Sequence, residues 1–357
     1  MVYILLERLF TSLIFPTMKI KHGIIAIIII ALFLIAIFTI NQNEKTRVII
    51  IFHAGSLSIP FDELSKEFEK KYGIEARREA AGSIATIKKV TELGKRADIV
   101  ASADHILIEK MMEPKYAKYC IQFATNRIVI AYTEKSKYSY EINESNWYKI
   151  MERRGVRFGF SDPNKDPCGY RAMMVIQLAS LYYNDSIFEN LIEKNTPIRK
   201  EKQGENYTII VPDSSNLASN YKIMIRPMEI DLMAALETNE IDYLFIYKSV
   251  AMQHASSGVK YIELPSYMDL SSPEMMNYYR KVSVKLADGR EIKAAPIIYG
   301  ITIPENAEHE KYAIEFLKFL LSPDGQQILK ENGLTPLNPA ICDHKDLLPE
   351  SIKQYVE

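Results

Sequence analysis

Cysteine is scarce in this 357-residue chain: Cys120, Cys168 and Cys342 are widely and irregularly spaced. They form no C-x-x-C pair and no Cys/His cluster of the zinc type, which excludes a disulfide framework, although one pair can still be bridged in an exported domain. Net basic charge is missing too. The 44 Lys and Arg stand against 45 Asp and Glu, so no bulk charge holds a polyanion and nucleic-acid binding is not expected. There is no G-x-S-x-G elbow, no Walker loop, no G-x-G-x-x-G and no H-E-x-x-H, which removes the usual signatures of hydrolases, nucleotide-binding enzymes and zinc proteases. No repeat recurs at a fixed period, so solenoids and propellers drop out. What is present is an ordinary globular balance, 48% hydrophobic and 25% charged, in a chain long enough for two domains of about 150 residues.

Residues 23–40, GIIAIIIIALFLIAIFTI, carry no charge. At about 1.5 Å per helical residue they nearly span a hydrocarbon core of roughly 30 Å and read as a membrane helix. Lys19, Lys21 and His22 precede the run and polar NQNEK follows it, so the positive-inside rule puts residues 45–357 on the outer face. With no A-x-A site and no lipid-accepting cysteine after it, an uncleaved anchor is favoured over a cleaved signal peptide. Met18, followed by KIKHG, reads as an alternative start.

From residue 46, short Val/Ile-rich runs alternate with helical stretches, the pattern of an α/β protein with mostly parallel strands. RVIIIFHAG (47–55), IEARREAAG (74–82), ADIVASAD (97–104), VRFGFSDP (156–163) and IDYLFIY (241–247) read as strands. FDELSKEFEKKYG (61–73) and SIATIKKVTELG (83–94) read as helices stopped at glycine. GYRAMMVIQLASLYY (169–183), MEIDLMAALETNE (228–240), AEHEKYAIEFLKFLLS (307–322) and DGQQILKENG (324–333) are further helices, and the polar stretch 193–222 reads as an irregular, exposed excursion. Two extended runs, FATNRIVIAYT (123–133) and APIIYGITIP (295–304), suggest two α/β lobes joined by crossing strands, with a ligand in the cleft between them. The expected division is an N-terminal anchor or signal over 1–44, one lobe from 45–128 plus 297–357, and a second from 129–296.

Four loops can carry chemistry. HAGSLS (53–58) and AAGSIAT (80–86) each end a strand in Gly-Ser directly before a helix. That arrangement offers an anion unpaired backbone N–H groups, a hydroxyl and close backbone approach. Simple N-capping by Ser56 and Ser83 is the plainer alternative. SDPNKDPCGYR (161–171) places Asp162 and Asp166 before a helix, and RPMEIDL (226–232) places Glu229 at the start of another; both fit capping as well. Cys168 is either a helix-start thiol of lowered pKa or a small buried residue.

HAGSLS, AAGSIATIKKVTELG, ADIVASAD, NWY (146–148), FGFSDPNKDPCGYR, YKIMIRPME, IDYLFIYKSVA, YGITIP and SPDGQQIL together resemble the archaeal tungstate/molybdate-binding proteins of the WtpA type, a branch of the extracellular solute-binding proteins of ABC importers. The resemblance covers about residues 46–340. It implies a two-lobed, type II periplasmic-binding-protein-like α/β fold, with a mixed sheet in each lobe and two connecting strands, closing on an oxyanion. It also implies that Ser56 and Ser83 donate to the oxo groups and that Tyr247 lines the site. Asp166, not Asp162, and Glu229 would ligate the Mo or W centre and so discriminate against sulfate. The implied protein is a monomeric, extracytoplasmic binder and not an enzyme. It has no cofactor beyond its tungstate or molybdate ligand, and its partners are a permease, its ATPase and, through the anchor, the membrane. The competing expectations are a binder of sulfate, phosphate or ferric iron, or an enzyme or sensor on the same scaffold.

Overall fold

The computed structural model describes residues 47–217 and 220–357. The apolar run 23–40, and the anchor read from it, lie outside those residues. Among the described residues no helix is long and apolar enough to cross a membrane.

Val48–Ala54 (β1), a run of Val and Ile closed by Phe-His-Ala, lies parallel to both its neighbours, Glu75–Ala81 (β2) and Ile99–Ser102 (β3). A parallel strand buried between neighbours reads as a near-continuous apolar run, because it has no polar face to show. Ser58–Tyr72 (α1) and Ser83–Thr91 (α2) are the crossovers, and Gly73 ends α1 in the left-handed conformation, φ 65°. His105–Met111 (α3) then leads to Ile121–Asn126 (β4).

Arg127 alone separates β4 from Ile128–Thr133 (β5), yet the two strands belong to different sheets. Trp147–Glu152 (α4), Phe158–Ser161 (β6) and Pro167–Tyr183 (α5) follow. Helix α5 packs against β6 and against the later strands Tyr243–Tyr247 and Val282–Lys285, and is buried throughout Pro167–Ser180. A helix covered on all sides must be apolar nearly all round, and its sequence complies apart from Arg171, Gln177 and Ser180.

The stretch expected to be an irregular excursion instead forms a hairpin, Arg199–Gln203 (β7) and Asn206–Ile210 (β8), joined at Gly204-Glu205 with Gly204 at φ 62°. Four of the five β7 residues are charged or amide side chains facing out, which blunts this edge strand against further pairing. Ile223–Arg226 (β9) and Met233–Glu237 (α6) come next; α6 is shorter than the helix expected over 228–240, with a single 3-10 turn at Ile230–Leu232 before it. Tyr243–Tyr247 (β10), Lys248–Gln253 (α7), Val259–Glu263 (β11), Met276–Tyr279 (α8), Val282–Lys285 (β12) and Glu291–Lys293 (β13) complete this part. The chain returns through Ile297–Thr302 (β14), Glu310–Leu321 (α9), Pro323–Glu331 (α10) and Thr335–Cys342 (β15).

Among the described residues the strands form three mixed sheets, in the orders β15-β4-β14-β3-β1-β2, β11-β5-β10-β6-β9 and β13-β12-β8-β7. The two runs read as long and extended are thus interrupted: 123–133 is β4 plus β5, and 295–304 holds only the strand β14. One segment ties both crossings. The N–H of Ile128 donates to the carbonyl of Asp269, and that of Ile297 to the carbonyl of Leu270, each at 2.9 Å. Edge-to-face aromatics pin the helices of the first sheet, with Phe68 of α1 and Phe316 of α9 at 5.2 Å.

Candidate functional site

In the first sheet β1, β2 and β3 run parallel, so Ser56, Ser83 and Asp104, which follow them, share one edge. In the second sheet β6, β9 and β10 are parallel, and the residues after them include Asp166, Glu229 and the strand-terminal Tyr247. All six are therefore at strand carboxyl ends, where α/β sheets bind ligands. Ser56, Ser83, Asp166, Glu229 and Tyr247 are all buried, none exposed beyond 2%.

Gly55 and Gly82 bring the two edges together. A Cβ on Gly55 would lie 3.4 Å from Glu229 Oε2, and one on Gly82 would lie 2.3 Å from the Lys165 carbonyl oxygen and 3.1 Å from Asp166 Cβ. Gly82 has an ordinary φ of −59°. Its lack of a side chain therefore serves close backbone approach and not an unusual turn.

Neither serine is a cap. Ser56 lies inside a 3-10 turn, Gly55–Leu57, without a capping bond, and its Oγ accepts from Tyr299 Oη at 3.0 Å. Tyr299 in turn accepts from Asn126 Nδ2 at 3.1 Å. This relay leaves the Ser56 hydroxyl proton to be donated elsewhere. Ser83 is the first residue of α2, after Gly82, and its Oγ accepts from the Ala103 N–H at 2.9 Å. Its proton is likewise left for another acceptor.

Asp166 does cap α5: its Oδ1 accepts from the Cys168 N–H at 3.3 Å, while Oδ2 accepts from the Glu229 N–H at 3.0 Å. Asp162 plays a different part, since its carboxylate accepts from Asn164 N–H at 2.9 Å and its carbonyl from Lys165 and Asp166, closing the turn. Glu229 is the outlier. Both of its carboxyl oxygens are buried with no hydrogen-bond donor. Burial first, then the charge of Asp166, pushes its carboxyl well above the usual range.

Sequence reading missed the cation of this region. Arg171 is buried on α5; its Nη1 donates to Tyr247 Oη at 2.8 Å and to the Ala103 carbonyl at 2.6 Å, and Nη2 pairs with Asp104 Oδ2 at 3.3 Å. Tyr170 Oη also donates to Asp104 Oδ2. Asp104 follows β3 of the first sheet and Arg171 belongs to the helix of the second, so the pair bridges the two edges. The signal was available, since Arg171 is the one charged residue in the seventeen of α5. Tyr247 and Tyr299 meet edge to face at 5.9 Å. Cys168 is a free thiol whose burial holds its pKa well above the ordinary value, so it is a small core residue and not an activated nucleophile.

Mixed sheets whose facing edges enclose buried hydroxyls and carboxylates define a ligand-binding protein of the periplasmic-binding-protein fold. The architecture matches the periplasmic molybdate-binding protein of Azotobacter vinelandii, with TM-score 0.56, 15% identity, and coverage of 80% of this chain and 98% of that one. It also matches the sulfate-binding protein SubI of Mycobacterium tuberculosis, with TM-score 0.56, 13% identity, and coverage of 85% and 92%. The chain belongs to the bacterial extracellular solute-binding protein family, whose profile matches residues 49–335; membership places its working part outside the cytoplasm. It is 47% identical over 326 residues to the molybdate/tungstate-binding protein WtpA of Pyrococcus abyssi, covering 89% of this chain and 92% of that one.

Proposed function

We propose that this chain captures tungstate or molybdate between the carboxyl edges of its first two sheets and delivers it, without chemistry, to the permease and ATPase of an ABC importer. Residues 45–128 with 297–357 form one lobe and 129–296 the other, and the apolar run 23–40 tethers both outside the membrane. The 47% identity to a WtpA protein supports the ligand class.

The observation that carries the reading is the buried, donor-free carboxyl group of Glu229 beside Asp166. Two carboxylates would repel a dianion at a cost of several kcal/mol in a dehydrated site, unless they are protonated or bond to its centre. Molybdenum and tungsten accept additional hard oxygen ligands. Glu229 and Asp166 then ligate the metal, expanding its shell from four oxygens toward six, while Ser56, Ser83 and Tyr247 donate to the oxo groups. Sulfur in sulfate offers no such bonds, so the same pair selects against it. Hinge closure about the two crossings buries the ion.

Calorimetric titration of the full-length chain with tungstate, molybdate, sulfate and ferric citrate at matched ionic strength tests this. Tight one-to-one binding of the first two, with none of sulfate, is expected. Binding of sulfate or iron instead would overturn the assignment.

A further inference from the structure

Away from that site, the loop after α3 meets the chain just beyond β15. There Glu113, Asp343 and His344 each bring one ligand atom within 4.8 Å of the others. We propose that these three side chains bind a divalent transition-metal ion of the zinc kind, which braces the C-terminal segment against the first sheet.

Glu113 carries the argument. Its side chain is only 10% exposed, and its Oε1 is buried with no hydrogen-bond donor. Its neighbour in the cluster, Asp343, is a second acid and brings it no hydrogen-bond donor. A buried carboxylate among acids requires either a proton or a cation. A cation also uses the imidazole, whose Nε2 stands 3.5 Å from Glu113 Oε2.

The cluster is close to ligating geometry. Tetrahedral zinc with N and O ligands at about 2.0–2.2 Å spaces them roughly 3.3–3.6 Å apart. The Glu113–His344 pair already has that spacing, at 3.5 Å, and the remaining pairs lie within 4.8 Å. Asp343 is held in position, since its Oδ1 accepts the N–H of Cys120 and that of His344, both at 2.8 Å. Cys342 is buried, with its Sγ 3.8 Å from Asp343 Oδ1. Two carboxylates and an imidazole suit zinc and its neighbours, whereas calcium and magnesium take oxygen ligands alone. Asp343 and His344 are exposed, so the ion enters from solvent and water completes its shell.

The test is calorimetric titration of the untagged, EDTA-stripped full-length chain with zinc chloride, and separately with magnesium and calcium chloride. One equivalent of zinc is expected, bound at least tenfold more tightly than either other ion and raising the thermal midpoint. Glu113→Gln and His344→Ala should each weaken zinc at least tenfold while leaving tungstate titration unchanged, so failure here is distinct from failure of the oxyanion reading. No zinc uptake by folded protein, unchanged zinc affinity in both variants, or equal affinity for magnesium or calcium would overturn the proposal; a proton would then bridge Glu113 and Asp343.

Discussion

The backbone N–H of Glu229 donates to Asp166 Oδ2 at 3.0 Å, so one acidic residue is positioned by its main chain on the side chain of the other. Asp166 also caps α5 through its other oxygen. Capping and ligation are therefore not alternatives here, because a single carboxylate can hold the helix start, the Glu229 turn and a metal centre. Asp166→Asn should keep most of the cap and lose tungstate affinity at least tenfold, whereas Asp166→Ala should also cost about 1 kcal/mol of stability for the lost cap. Titration and urea denaturation of both variants separate the two roles.

Gly82 faces the Lys165 carbonyl across the two edges, with room for no Cβ. Gly82→Ala should open that contact. Overpacking of this kind costs about 1–3 kcal/mol, paid only in the closed state. Tungstate affinity should fall at least fivefold while the unfolding midpoint of the ligand-free protein stays near wild type. A lowered midpoint with normal affinity would contradict it.

Arg171 bridges Asp104 and Tyr247 in a buried setting. Arg171→Met leaves Asp104 without its cation, and breaking a buried pair from one side costs about 3–5 kcal/mol. Asp104→Asn in the same background should recover part of that loss. Urea denaturation of the two single variants and the double variant checks the coupling, and additive effects would count against a direct pair.

His53 is buried at the end of β1, where burial lowers its pKa to about 4 from 6.5. The native state resists a proton that the unfolded chain accepts. The stability this group confers is therefore complete above about pH 6.5 and is lost as pH falls from there toward 4, by at most about 3 kcal/mol. Melting curves across that window should fall more gently for His53→Gln than for wild type; parallel curves would assign the acid loss to other groups.

Much of this was legible because periodicity and turn residues agree locally. β1, its Gly-Ser turn and α1 follow from one apolar run and an amphipathic repeat, and Gly73 stops the helix where expected. The β7–β8 hairpin was not, since β7 is charged at an edge and shows no apolar alternation; the Gly204-Glu205 turn was its sole cue. Ser56, Ser83 and Glu229 came from loop motifs, the choice of Asp166 over Asp162 and the inclusion of Tyr247 from the family resemblance, and the fold gathers all five at two facing edges. Tyr299 and Asn126 escaped notice because their role is a relay between distant strands, which no local pattern encodes.

Asp166 and Glu229 are proposed to bond to the metal of the bound oxyanion. X-ray absorption at the tungsten edge of the tungstate-loaded chain measures that bonding directly. Longer tungsten–oxygen distances are expected in addition to the oxo bonds, with fewer of them after Glu229→Gln. A shell of four short oxo bonds, the same in both proteins, would contradict it.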